Sequence, residues 1–204
     1  QMLYYFFAYK QLKSRLNGRK LIFSVPSGNL GNITAGLIGQ KMGLPIDHFI
    51  AAMNANDTFY QYWKTGEYLK KPSVATYSNA MDVGNPSNFE RIETLYHHDV
   101  DEVRNHISSS TISDEATLAE IDRCYRETAY VLDPHAAVGK LAIQEIMDEN
   151  SLGVVLGTAS PRKFAKVIQK VLSEFSVGDV DLSGCKKSGI KNSFEEFKEF
   201  LLKS

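Results

Sequence analysis

Cysteine is nearly missing from this sequence of 204 residues. Cys124 and Cys185 stand far apart with no Cys-x-x-Cys spacing, a usage that excludes a disulfide framework and fits free thiols in a reducing compartment, so a cytoplasmic location is expected. Long apolar runs are missing too: the most apolar stretch, residues 2–9, falls far short of the roughly 20 residues that span a bilayer, and no membrane partner is expected. Neither sign of charge dominates. The 23 Lys plus Arg face 24 Asp plus Glu for a net charge of −1, which lacks the basic excess of a nucleic-acid binder, so any anion must be gripped locally. Metal-ligand spacings are absent: His97, His98 and His106 lie beside Asp99, Asp101 and Glu102 in a pattern that reads as a solvated helical face. What remains is an ordinary globular balance, 43% hydrophobic and 23% charged, long enough for one domain or part of a larger protein. The chain opens on Gln1 and runs at once into Met-Leu-Tyr-Tyr-Phe-Phe-Ala-Tyr, which reads as cut from something longer.

Periodicity gives an α/β order. Residues 2–16 read as a helix, apolar nearly all round at first and basic at Lys10, Lys13 and Arg15, so neighbours are expected on every side. Lys20–Pro26 and His48–Met53 read as strands of the fully buried, parallel kind; between them Leu30, Ile33, Leu37, Ile38 and Met42 follow helical spacing up to Gly43-Leu44-Pro45. A helix from Asn56 through Trp63 leads to a polar loop over about 70–86. Residues 88–96, 99–108 and 114–130 read as three successive helices, the last capped by Ser113. Asp133-Pro134 opens a helix running to Asn150, followed by a third buried strand over 153–157, a helix over 161–175, and a last amphipathic helix over 193–202.

The sharpest candidate site is Ser27-Gly28-Asn29-Leu30-Gly31-Asn32, between a buried strand and a helix start. Backbone N–H groups and the positive helix end gather there, and glycines let the main chain approach an anion, so a phosphate needs no charged side chain. The alternative is a tight turn with glycine for geometry; the pattern is neither a P-loop nor G-x-G-x-x-G. Gly157-Thr158-Ala159-Ser160-Pro161 also follows a strand, where open parallel sheets bind ligands. Thr158 offers a directed hydrogen bond there, or with Ser160 a helix cap. His135 faces a ligand or serves the helix start, and Arg91 grips an anionic substrate or pairs with surface acids.

Taken in order, Val25-Pro-Ser-Gly-Asn-Leu-Gly-Asn32, Ala80-Met-Asp82, Ser87-Asn-Phe-Glu-Arg91, Asp133-Pro-His-Ala-Ala-Val-Gly139 and Gly157-Thr-Ala-Ser-Pro-Arg-Lys-Phe164 resemble the threonine synthases, pyridoxal-phosphate enzymes of the tryptophan-synthase-β fold type. The resemblance implies an α/β, three-layer parallel-sheet cofactor domain, incomplete because the upstream half is missing. It implies that residues 1–17 form a helix on the small domain's side, 18–184 the C-terminal part of the cofactor domain, and 185–204 a tail with an amphipathic helix. Gly28, Asn29, Leu30, Gly31 and Asn32 would bind the phosphate of pyridoxal 5'-phosphate, and Thr158 its pyridine nitrogen; Asn32, Asp82 and Arg91 would contact the substrate. Leu30 stands where an aromatic residue is usual, Ala136 where Thr is, and Ser160 where His is common. The family's Schiff-base lysine, in a Phe-Lys-Asp motif, is absent here. With the upstream half present, O-phospho-L-homoserine and water would give L-threonine and phosphate. A phospho-lyase giving 2-oxobutyrate and a non-catalytic anion-binding protein are the alternatives, and the incomplete sheet implies self-association of the isolated chain.

Overall fold

The computed structural model describes residues 1–178, 189–191 and 193–203. Alternation along two strands decides the layering. In β1 (Lys20–Pro26) and β2 (His48–Met53), Leu21, Phe23, Val25, Phe49, Ala51 and Met53 enter one core, while Ile22, Ile50 and Ala52 enter another on the opposite face. Both faces are covered, so both strands read as continuous apolar runs. The first face carries α1 (Met2–Leu12), α2 (Gly31–Lys41), α3 (Thr58–Thr65), α4 (Phe89–Leu95) and α5 (Val100–His106). The second carries α7 (Pro134–Gln144), backed by α6 (Asp114–Thr128) and the short α8 (Ala165–Ile168). A terminal helix, α9 (Phe194–Lys203), completes the described elements. The expected three-layer α/β architecture is present.

All pairings are parallel, in the order β3-β2-β1-β4, with β3 at Ile107–Thr111 and β4 at Ser151–Val155. The chain steps outward from β1 through β2 to β3, then returns to the other side of β1. The order therefore reverses between β1 and β4, which opens a crevice at their carboxyl ends.

Several boundaries differ from the sequence reading. The expected helix over 99–108 ends at His106, and Ile107–Thr111 forms an edge strand. Ile-Ser-Ser-Ser-Thr carries no apolar alternation; two of its hydroxyls meet β2, Ser109 donating to the Ala51 carbonyl at 2.9 Å and Ser108 lying 2.7 Å from His48 Nε2, while the buried Ser110 hydroxyl has no partner among the described residues. The last strand begins at Ser151, and as an edge strand it is only half-buried beyond that residue, where full burial was expected. The helix from Pro134 stops at Gln144, and the expected 161–175 helix divides into a 3-10 turn, Pro161–Phe164, and α8. His97 and His98 occupy left-handed turn conformations (φ 54° and 59°) after α4, while His106 stacks on Tyr96 at 5.1 Å. Cys185 and part of the expected tail lie outside the described residues.

The first helix is tied to the core on one side only. Tyr5 is buried, packs on Phe23 and Phe49, and donates from its hydroxyl to the Asn32 carbonyl at 2.7 Å. A Cβ on Gly36 would lie 2.6 Å from both the Tyr5 and Phe49 rings, so only glycine lets α2 meet α1 this closely. The other face leaves Leu3, Tyr4 and Phe7 exposed, against the expectation of neighbours on every side.

Two histidines at the amino end of the sheet resist protonation. Burial, then the charges of His106 and Lys20, push the His48 imidazole below its ordinary 6.5, and burial followed by Lys41 does the same to His106. As pH falls through the ordinary value, the unfolded chain takes up protons that the folded chain refuses. Stability that these rings contribute above that value is lost as pH drops through their lower folded pKa values. The thermal midpoint should fall between about pH 7.5 and about pH 5.5, and less steeply in His48→Gln, followed by circular dichroism. An unchanged slope would remove His48 from the account.

Candidate functional site

The loop after β1 is built without charged side chains. Ser27 donates from its N–H to the Ala52 carbonyl at 2.9 Å, closing the strand. Asn32 donates from Nδ2 to the Pro26 carbonyl at 2.7 Å, and its Oδ1 accepts from Ile33 N at 2.9 Å. Thr34 donates its hydroxyl and its amide to the Leu30 carbonyl. Leu30 itself is left-handed (φ 60°) at the N-cap of α2, with its side chain fully buried. That conformation costs a non-glycine residue roughly 1–2 kcal/mol, which burial of a leucine side chain, about 1.5–3 kcal/mol, offsets.

Between Ser27 and Ile33 the amide N–H groups of Gly28, Asn29, Leu30, Gly31 and Asn32 find no acceptor among the described residues. Four of these residues line a cavity of about 360 Å³ whose wall also includes Thr158 and Ala159 from the loop after β4. Ala80, Met81, Asn88 and His135 close it, none of them a lysine. Free backbone donors at a helix N-terminus fit a phosphate or carboxylate group. A groove of about 540 Å³ beside Tyr125, Val131 and Phe175 is larger, but no helix N-terminus lines it and it shares no lining residue with the crevice.

Close packing holds the loop in place. A Cβ on Gly28 would sit 2.7 Å from Met81 Cα, so the main chain of the long loop rests directly against it. Asn29 Oδ1 accepts from Ser87 N at 2.5 Å, and Asn88 donates from Nδ2 to the Asn29 carbonyl at 2.9 Å. Arg91, on the exposed side of α4, donates from Nη1 to Asn88 Oδ1 at 3.0 Å. It stands at the rim and does not line the cavity.

The predicted residues are not all where a ligand would meet them. Gly28, Asn29, Gly31, Asn32 and Thr158 share one cavity, and Thr158 is exposed with no hydroxyl partner among the described residues. The Asn32 amide side chain is committed within the loop, leaving its N–H free. Asp82 turns away: Oδ1 accepts from Asn54 Nδ2 (2.9 Å), Asn56 Nδ2 (3.1 Å) and Thr76 Oγ1 (2.7 Å), and Oδ2 accepts from Thr76 N (2.9 Å). Its carboxylate is the centre of a knot that folds the 70–86 loop, and Asp82 is not among the residues that line the cavity. Asn54, Asn56 and Asn88, all unassigned from sequence, do the holding; Asn54 and Asn56 directly after a strand, and Asn88 before a helix, are turn and cap signals of the kind that marks them.

No family model matches the chain. Among curated proteins it is similar to the threonine synthase of Serratia marcescens, 40% identical over 174 residues, which is 85% of this chain and 40% of that protein. It is similar also to the threonine synthase of Buchnera aphidicola subsp. Schizaphis graminum, 36% identical over 210 residues, 99% of this chain and 48% of that protein. Among solved structures it is similar to the PLP-bound threonine synthase from Brucella melitensis, with a TM-score of 0.78 and 30% identity over 83% of this chain and 41% of the other. The sheet order and covering helices thus define an α/β fold of the class used by pyridoxal-phosphate enzymes of the tryptophan-synthase-β type. Within that class the chain is a relative of the threonine synthases over most of its length, and it spans less than half the length of these relatives.

Replacing Asp82 with Asn would put a second N–H donor against Thr76 N. Asp82→Asn should destabilise the loop by about 1–3 kcal/mol, read as faster proteolysis within residues 70–86 and a lower thermal midpoint. Unchanged cleavage would show that the knot does not hold the loop.

Proposed function

We propose that this chain is the C-terminal portion of a threonine synthase, in which the N–H groups of residues 28–32 hold the phosphate of pyridoxal 5'-phosphate and Thr158 meets its pyridine nitrogen. The observation that carries the reading is the set of five consecutive amides, leading into and opening an 11-residue helix, that find no acceptor among the described residues. Similarity to threonine synthases, one of them PLP-bound, supports it. When bound, the cofactor supplies an electron sink for carbanion charge on the substrate.

The chain's own part is binding and orientation. The helix N-terminus contributes positive potential to the phosphate without a titrating group, so the protein's side of this grip does not titrate near neutrality. A neutral hydroxyl at Thr158, in place of a carboxylate, leaves the ring nitrogen unprotonated and limits how far charge drains into the ring. Arg91, steered by Asn88, supplies a guanidinium at the rim for the substrate's phosphate. The proton-shuttling lysine belongs to the upstream half, outside this sequence.

The domain reading follows. Residues 18–184 form the C-terminal part of the cofactor domain, residues 1–17 meet the small domain through Leu3, Tyr4 and Phe7, and 185–204 form a tail. With its partner half in place in the cytoplasm, the protein converts O-phospho-L-homoserine and water to L-threonine and phosphate.

Gly31→Asp in the full-length gene product should weaken cofactor retention at least about tenfold, because a carboxylate would face the bound phosphate at close range; unchanged retention would overturn the loop assignment. In the same protein, released phosphate should be matched by threonine. Phosphate matched by 2-oxobutyrate would make it a phospho-lyase, and bound cofactor without phosphate release would make it a binding protein.

A further inference from the structure

One wall of the cavity is main chain from the long loop, and a buried pair of titratable side chains reaches it from α7. Asp133 is 3% and His135 1% exposed. Asp133 Oδ1 caps α7, accepting from His135 N at 2.9 Å and Ala136 N at 3.4 Å, and it lies 2.9 Å from His135 Nδ1. On the far side of the ring, His135 Nε2 accepts from the Ala80 N–H at 3.2 Å. An imidazole nitrogen that accepts carries no hydrogen, so the ring hydrogen sits on Nδ1 and is donated to Asp133. Phe164 packs edge-on at 4.8 Å and holds the ring plane.

We infer that His135, fixed in one tautomer by Asp133, is a positioning residue that holds Ala80 and Met81 against Gly28 and so sets the shape of the phosphate-binding arc. This rests on the reading of residues 28–32 as a phosphate site. The path is contiguous: His135 grips Ala80 N, and a Cβ on Gly28 would lie 3.1 Å from Ala80 O and 2.7 Å from Met81 Cα. The segment is also fixed from its other end by the Asp82 knot, one residue beyond Met81. His135 therefore supplies the second of two polar anchors, and the only hydrogen bond reaching the segment from α7 among the described residues, beside the packing of Met81 in the second core. Without it the 79–81 turn pivots about Asp82 and Gly28 loses its support, while the sheet and α2 stay in place.

Two near-isosteric variants separate positioning from mere folding. In His135→Gln, Oε1 reaches the place of Nε2 and still accepts from Ala80 N–H. In His135→Asn, the side-chain amide still donates to Asp133 but falls short of Ala80. The readout is the ratio of affinities for pyridoxine 5'-phosphate and pyridoxine, which lack the aldehyde and so avoid adventitious imines, measured calorimetrically with the full-length protein. The Asn variant should lose at least about tenfold in the phosphorylated ligand's affinity with pyridoxine binding unchanged, and the Gln variant should stay within about threefold of the original. Equal losses in both variants, or none in Asn, would overturn the inference. Should the Asn variant fail to fold, the Gln variant decides alone: within about threefold supports it, a tenfold loss overturns it. If the unsubstituted protein does not prefer the phosphorylated ligand, the phosphate-site reading fails and this inference with it; a preserved preference with no dependence on residue 135 sinks this inference alone.

Discussion

The structure depends on the reversal of strand order at β1. Because β2 lies on one side of β1 and β4 on the other, the segments leaving their carboxyl ends diverge, and no neighbouring strand or helix fills the gap between them. The backbone groups there must be satisfied by something else. Carbonyls on the loop after β1 find partners in Asn32, Thr34 and Asn88, but its five amides do not. An unpaired amide removed from water costs about 1–3 kcal/mol. A crevice open to solvent avoids that cost, and an anion is the kind of group whose oxygens supply several acceptors to such donors at once. The same reversal brings Thr158 into the crevice, since β4 lies directly beside β1.

Around this gap the protein invests in polar anchoring. Asn54, Asn56, Thr76 and Asp82 form a hydrogen-bonded knot in which Asn54 and Asn56 are almost wholly buried, and Asp133 with His135 forms a second. Such networks are costly if half satisfied and rigid if complete. Both converge on the stretch from Ala80 to Asp82, a short 3-10 turn that makes few apolar contacts apart from Met81 in the second core. Packing of Met81 alone leaves the turn's polar main chain to be held otherwise, and hydrogen bonds from these two networks hold it. Gly28 completes the arrangement by offering no side chain where that turn presses closest.

How far the sequence shows this depends on how local each signal is. β1 and β2 are legible because burial on both faces leaves continuous apolar runs, and α2 because its apolar spacing ends in a Gly-Leu-Pro stop. The glycine loop is legible because strand, glycines and helix start are adjacent. β3 is not: Ile107-Ser-Ser-Ser-Thr111 is a strand of small polar residues, two of whose hydroxyls, Ser108 and Ser109, meet β2, and it lacks the apolar alternation by which strands are read. The role of Asp82 is illegible for another reason. Its partners Asn54 and Asn56 are more than twenty residues away, and an acidic residue in a long polar loop looks the same whether it faces a ligand or its own chain.

One uncovered apolar face lies on the first helix. Leu3, Tyr4 and Phe7 are exposed on α1, and the outer edge of β4 pairs with no strand among the described residues. Tyr4 and Gln1 also line a second cavity of about 440 Å³ with Asn32, Gly157 and Thr158, beside the first. A partner that covers Tyr4 on the outer face of α1 therefore also covers part of the wall of the second cavity. Burying three large apolar side chains contributes several kcal/mol at about 25 cal/mol per Å², so closing the face and closing the crevice are favoured by the same contact. That geometry couples completion of the apolar surface to completion of the site. Among the described residues the crevice offers backbone donors, the Thr158 hydroxyl, the Asn88 amide and a His135 ring whose two nitrogens are already committed to Asp133 and to Ala80 N, an arrangement that binds and orients.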